Sequence, residues 1–353
     1  MTWNVSNVGA VADPLAEHYD VSLAAIGLLT TALVVTALAA QLPAGRGADR
    51  VGAQRVALIA IVAGVAGNCI LLLDEGLELA LVARALVGIG AGAGFVAGLD
   101  LVRAAGGGAA VQGLYGGATM AGGGLALMVV PALTDATSWR AAYWSAAVLA
   151  LLAAVPTALA AGLPRIRHGG VLTLGDRELL PIGALQAATF GLAVIAGNWV
   201  VPLLERAGAS SAAAGVAGGL ILFVGIATRP LGGVLAARIP SRRLIATALV
   251  GTSLGALLLA IGGTLALSTL GAFVLGFFAG LPFAVIFASA QRTRPDAPAA
   301  AIAAVNACAL VTVLVGTPLA GLAFEHGGDG RFAFATIAVL AATALLALRA
   351  ARV

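Results

Sequence analysis

The sequence predicts an all-α integral membrane protein, with twelve transmembrane helices arranged as two pseudo-symmetric six-helix bundles and a shortened first helix. Three observations predict it. Of 353 residues, 61% are hydrophobic and only 10% are charged, whereas a soluble domain carries about 25% charge. Such a chain cannot cover a water-facing surface. Apolar runs of about 20 residues recur throughout, the length a helix needs to cross roughly 30 Å of hydrocarbon. Barrel strands would give short alternating segments instead. Finally, the second half repeats the first.

The spans follow from where the apolar runs break. The first covers about 1–16 and stops at Asp13-Pro14, and the second covers about 21–44. A charged, Gly-rich turn from Gly45 to Arg55 follows, because three arginines and one aspartate cannot sit in hydrocarbon. Spans at about 53–73 and 77–102 are separated by Asp74 and Glu75, with Glu78 close by, and those at 109–133 and 139–162 by the segment before Arg140. The first bundle is therefore 1–163, and a polar connector, 164–178, carries Arg165, Arg167, His168, Asp176 and Arg177. The second bundle, 179–353, holds spans at about 179–204, 211–237, 243–263, 267–290, 298–323 and 331–349.

Charge tests this count. With the Gly45–Arg55 turn in the cytoplasm, fourteen arginines fall on the cytoplasmic side and three (Arg140, Arg206, Arg331) on the outer side. That is a strong positive-inside bias, and it places both termini in the cytoplasm of a bacterial cell. Arg84 and Arg229 remain within spans.

The halves align at a constant offset of 188 residues: Pro14 with Pro202, Glu17 with Glu205, Gly45 with Gly233, and Gly88 and Gly92 with Gly276 and Gly280. A parallel repeat of this kind relates two bundles by an axis along the membrane normal. The seventh span begins near Leu179, which has no partner in the first half. The first helix is thus expected to lack about ten residues of its repeat equivalent, as in a truncated gene model.

Other classes are excluded by composition. The net charge of +4 and pI of 9.8 come from arginines scattered between spans rather than clustered on a face, which argues against nucleic acid. Cys69 and Cys308 lie within apolar runs and read as small buried residues. His18, His168 and His326 have no metal spacing, Gly106–Gly108 and Gly122–Gly124 lack the Lys and Ser/Thr of a phosphate loop, and no nucleophile–base set is visible. No enzyme activity and no cofactor are expected.

The turn carries a resemblance. Gly45, Ala48, Asp49, Arg50 and Gly52 match the loop signature of the major facilitator superfamily, Gly-x-Leu-Ala-Asp-Arg-x-Gly-Arg-Lys, while Gly47, Ala53 and Gln54 depart from it. The second half keeps Gly233 and Arg238, but Ala237 replaces the aspartate and Pro240 the second glycine. Arg84 with Gly88, Gly90 and Gly92 resembles the fourth-helix motif, and Ser138-Trp139-Arg140 the start of the sixth helix. The resemblance implies an alternating-access transporter in which Gly45, Asp49, Arg50 and Gly52 form a cytoplasmic gating loop, with Asp100 and Arg103 as partners of Asp49. A solvated turn is the plainer reading.

Arg229 is the most informative residue. It lies nine residues before Arg238, about 13 Å along a helix, and a charge that deep normally faces a cavity or a partner. Its fork suits carboxylates and oxyanions, although a structural, snorkelling or coupling role is also open. Its repeat equivalent is Gln41. The setting Arg229-Pro230-Leu231-Gly232-Gly233 is loosely similar to nitrate/nitrite porters and to the cyanate porter-like branch, but only one of their paired arginines is present. Arg84 reads as structural or coupling. Buried amides more often bridge helices than touch solute. By family geometry Asn7, Tyr115, Gln186 and Asn306 line the path, with Gln41 beside them.

The reading is a secondary transporter for a small organic or inorganic anion, coupled to protons. It acts as a monomer in the lipid bilayer, with the solute and the coupling proton as its other partners and no nucleic acid. A multidrug efflux pump and a non-transporting sensor are the alternatives. The first would want a mid-span acid and more aromatics than 5%, the second an appended soluble domain.

Overall fold

The computed structural model describes residues 2–73, 76–160, 170, 172, 175–326 and 330–353. Asp74, Glu75 and most of the connector, including Arg165, Arg167 and His168, lie outside the described residues. The described residues are helical throughout their spans. Eleven helices are long and apolar enough to cross a membrane, and a broken first segment precedes them in the twelve-helix layout.

That first segment, α1, runs in three pieces: Trp3–Ser6, a 3-10 turn Gly9–Val11, and Ala12–Tyr19. Pro14 lies in the first turn of the last piece, where a missing N–H costs little. The helix therefore passes the expected stop at Asp13-Pro14 and ends at Asp20, whose left-handed φ of 52° closes it. The remaining helices are α2 Leu23–Val51, α3 Ala53–Leu71, α4 Leu77–Ala104, α5 Ala109–Ala136 and α6 Ala141–Leu159, then α7 Leu180–Arg206, α8 Ser211–Leu235, α9 Ser241–Ile261, α10 Leu265–Thr293, α11 Pro298–His326 and α12 Arg331–Ala350.

The expected turn at Gly45–Arg55 is corrected. Helix α2 continues through Gly45, Asp49 and Arg50 to Val51, and the chain turns on Gly52 alone, at φ 97°. A side chain is strained at that angle, so the second glycine of the signature is the turn itself. In the second half, where Pro240 stands in that place, α8 ends at Leu235 and α9 begins after Pro240 through a longer turn.

Two helices are interrupted. In α7, a π turn covers Ala187–Gly191. In α10, the helix breaks between Gly280 and Phe283, where Pro282 caps the second piece.

The chain forms two compact units. One comprises Met1–Gly106, Thr119–Leu172 and Asp296–Ala303; the other comprises Gly107–Ala118, Thr173–Pro295 and Ala304–Val353. Within the first, α4 packs on α2 through Gly88 against Leu33 and Gly92 against Ala37, and α3 packs on α4 through Gly67 against Ala83 and Val87. Within the second, Gly276 meets Ile221, Gly280 meets Gly225, and Gly255 meets Gly271 and Leu275. Each of these pairs is the first-unit pair shifted by the same 188 residues. Small residues let helix backbones approach where hydrophobicity supplies no drive between helices. The outward residues are apolar, among them Ile59, Val62, Val82 and Leu152, each more than 60% exposed, as a lipid-facing surface requires.

Candidate functional site

In the second unit a polar site forms around Arg229 of α8, which is only 4% exposed. Its position is set by glycines on α5. A Cβ at Gly113 would overlap the Arg229 carbonyl, one at Gly117 would lie 2.6 Å from the Ile226 carbonyl, and one at Gly116 would overlap the Phe283 ring. The close approach lets Arg229 Nη1 donate to the Gly116 carbonyl at 2.8 Å. The guanidinium carbon also lies 4.3 Å from the Phe283 ring centroid and 5.2 Å from that of Phe190. Ring faces attract a cation through their quadrupole without cancelling its charge.

Both rings come from the interrupted helices. Phe190 sits inside the π turn of α7, and Phe283 opens the second piece of α10, edge-on to Phe287 at 4.9 Å. Such π turns are frequent at functional sites because they re-aim a side chain at the cost of a strained ladder. Sequence reasoning missed both phenylalanines. Pro282 signals the break in α10, but Leu185–Gly191 contains no proline to announce the π turn.

Of the other expected solute contacts, Tyr115, Gln186 and Asn306 belong to this unit and Asn7 and Gln41 to the other. Gln186 is 1% exposed and its Nε2 has no hydrogen-bond partner among the described residues. Asn306 is buried and Tyr115 half-buried. Asn198 bridges α7 to Thr317 of α11 at 3.4 Å.

Asn7 bridges helices in the first unit. It is fully buried, its Nδ2 donates to the Ala142 carbonyl at 2.6 Å, and its Oδ1 accepts from Arg84 at 3.4 Å. Arg84, also fully buried, donates further to the carbonyls of Asn4 at 2.6 Å and Leu29 at 3.3 Å. It ties the broken α1 to α2 and α4. Gln41 is buried in the same unit.

At the signature, the Asp49 carboxylate accepts from the N–H groups of Ala299 and Ala300, each at 3.0 Å. These are the second and third residues of α11, so Asp49 serves as its cap, aided by Pro298 at the first helical position. A Cβ on Gly45 would lie 2.7 Å from the Ala299 carbonyl, so only glycine permits this approach. Arg103 and Asp100 pair with each other, Arg103 Nε donating to Asp100 Oδ1 at 2.6 Å. Arg46 donates twice to the Leu172 carbonyl, at 2.6 and 3.0 Å, and Arg50 is exposed. Among the described residues no cluster of His, Cys, Asp or Glu is placed to hold a metal ion.

Among the described residues, the spanning helices, the repeated glycine register and the buried arginine together describe a multi-span helical membrane protein. The Major Facilitator Superfamily profile matches residues 1–186 and 179–352, and the chain belongs to that superfamily. A comparison with curated proteins finds no match. Among solved structures, the chain is similar to the fucose:proton symporter FucP of E. coli, at 13% identity and a TM-score of 0.76, over 99% of this chain and 96% of that one. It is similar to the proton:xylose symporter XylE at 14% identity and a TM-score of 0.74, over 98% and 91%. The human organic anion transporter MFSD10 shares 16% identity and a TM-score of 0.72, over 98% and 88%. At these identities the likeness is one of fold.

Proposed function

We propose that this transporter carries a small organic or inorganic anion across the bacterial cytoplasmic membrane, with Arg229 as the positive group that holds it. The observation that carries this reading is the deeply buried Arg229 guanidinium set against Gly116, Phe190 and Phe283. A guanidinium that deep normally faces a cavity or a partner, and its planar donor fork suits a carboxylate or another oxyanion. The faces of Phe190 and Phe283 attract the cation.

The solute crosses by alternating access of bundles 1–163 and 179–353 joined by the connector 164–178, in a monomer with both termini in the cytoplasm. Movement is coupled to protons. Two similar structures are proton symporters and one is an organic anion transporter, which supports the coupling and the anion class.

The test is counterflow in proteoliposomes with nitrate, nitrite, cyanate, formate, oxalate and lactate, beside one lipophilic cation. One or more anions exchange in the wild type and stop exchanging in Arg229→Gln. Exchange of the cation alone would replace the anion reading with efflux of hydrophobic compounds.

A further inference from the structure

The two units close one pair of helix ends differently. In the first unit the start of α3 meets the end of α6, where Gln54 Nε2 donates to the carbonyls of Thr157 and Ala158 at 3.0 Å each. The equivalent pair in the second unit is α9 and α12. The offset of 188 residues puts Arg242 in the place of Gln54. The spacing of 191 residues that separates Arg140 from Arg331 puts Arg349 in the place of Ala158. An amide that ties two helices together is thus replaced by two guanidiniums at one junction.

Helices α9 and α12 run antiparallel and side by side. Ser253 Oγ donates to the Ala338 carbonyl at 2.8 Å, and a Cβ at Gly262 would lie 3.3 Å from the Arg331 guanidinium. The register of these two contacts brings Arg242 and Arg243 level with Arg349, about 15 Å along both helices from Ser253 and Ala338. Leu244, Ile245 and Leu348 are buried there, whereas the three arginines are exposed, as is Arg238 in the turn before α9. Among the described residues none of these four arginines is in an ion pair. Glu178 is engaged by Arg352 at 2.9 Å, and Asp176 by Arg294. The faces that carry the arginines continue as lipid-facing surface. Val250 and Leu254 follow Arg243 at seven and eleven residues on one face of α9, Leu346 lies one turn from Arg349, and all three are exposed.

We propose that the junction of α9 and α12 binds one anionic phospholipid. Its phosphate is held between Arg242 and Arg243 on one side and Arg349 on the other, and an acyl chain follows Val250, Leu254 and Leu346. A guanidinium offers phosphate oxygens a planar donor fork, and basic pockets between membrane helices take acidic headgroups. The charge and the apolar stripe together select a lipid over a free phosphate, because only a lipid satisfies both. In the first unit Arg55 stands where Arg243 does, but Gln54 and Ala158 bring no charge, so one site per chain is expected. The proposal does not depend on the role of Arg229.

The test titrates the purified full-length protein with phosphatidylglycerol and with phosphatidylcholine of the same chains, and counts bound lipid by native mass spectrometry. In the wild type one phosphatidylglycerol binds about tenfold or more tighter than phosphatidylcholine, the worth of one hydrogen bond to a charged group. Arg242→Gln with Arg349→Ala, which gives the junction the residues of the first unit, removes that preference. Arg242→Lys with Arg349→Lys keeps part of it, since charge remains without the fork. Arg55→Gln with Arg140→Gln removes as much charge elsewhere and leaves the preference intact. The ratio of the two lipids is read within one preparation, so a loss of folded protein does not move it. No preference in the wild type, its survival in the Gln/Ala pair, or its equal loss in the Arg55 and Arg140 pair overturns the proposal. Displacement of phosphatidylglycerol by inorganic phosphate at equal concentration would assign the arginines to a soluble anion and overturn it as well.

Discussion

Two buried arginines show how the surroundings of a residue set its role. Arg84 reaches two backbone carbonyls and Asn7, so its donors hold the fold together. Arg84→Met should cost about 2–3 kcal/mol by orphaning those carbonyls, with partial rescue by Arg84→Lys, read as thermal unfolding in detergent. Full stability with transport lost would instead make Arg84 a coupling group. Asp49 works at similar range, capping a helix 250 residues away in sequence. Asp49→Ala should lower stability by about 1–2 kcal/mol, the worth of a lost cap with charged acceptors. An unchanged melting temperature would mean that the cap contributes nothing.

At the scale of the element, glycines decide where helices meet. A Cβ at Gly92 would overlap the Ala37 carbonyl, whereas one at Gly64 meets nothing within 4 Å. Gly92→Ala should therefore force α4 from α2 and destabilise the first unit, while Gly64→Ala should be neutral or stabilise by up to about 1 kcal/mol through helix propensity. Equal effects of the two on unfolding would refute the packing argument. The span order was legible in the sequence because hydropathy and arginine placement both report on the bilayer. Helix ends were less so: the Gly45–Asp49 stretch looks like a loop by composition yet is helical to Val51. Its polar residues are satisfied by tertiary contacts that no local pattern shows. The π turn in α7 was illegible for the same reason, since nothing in Ala187–Gly191 breaks a helix by itself.

At the scale of the molecule, the two units repeat their glycine contacts at one register and differ where polar chemistry enters. Arg84 stands opposite Ala272, Asp49 opposite Ala237, and Arg229 opposite Gln41. Packing has kept the repeat, and the departures from it carry the polar chemistry that packing does not require. The sequence singled out Arg229 by depth and Asp49 by motif. It did not reveal Phe190 and Phe283, because phenylalanine in a membrane helix looks the same whether it faces lipid or a guanidinium.

Arg229 is the residue proposed to hold the solute. The most direct test of that role is equilibrium binding of an exchanged anion to the purified protein, comparing wild type with Arg229→Lys and Arg229→Gln. Removing a buried charge-assisted contact should weaken binding by about tenfold or more in Arg229→Gln, with Arg229→Lys between the two because it keeps charge without the fork. Binding by Arg229→Gln as tight as by the wild type would contradict the account and leave Arg229 a structural residue of the second unit.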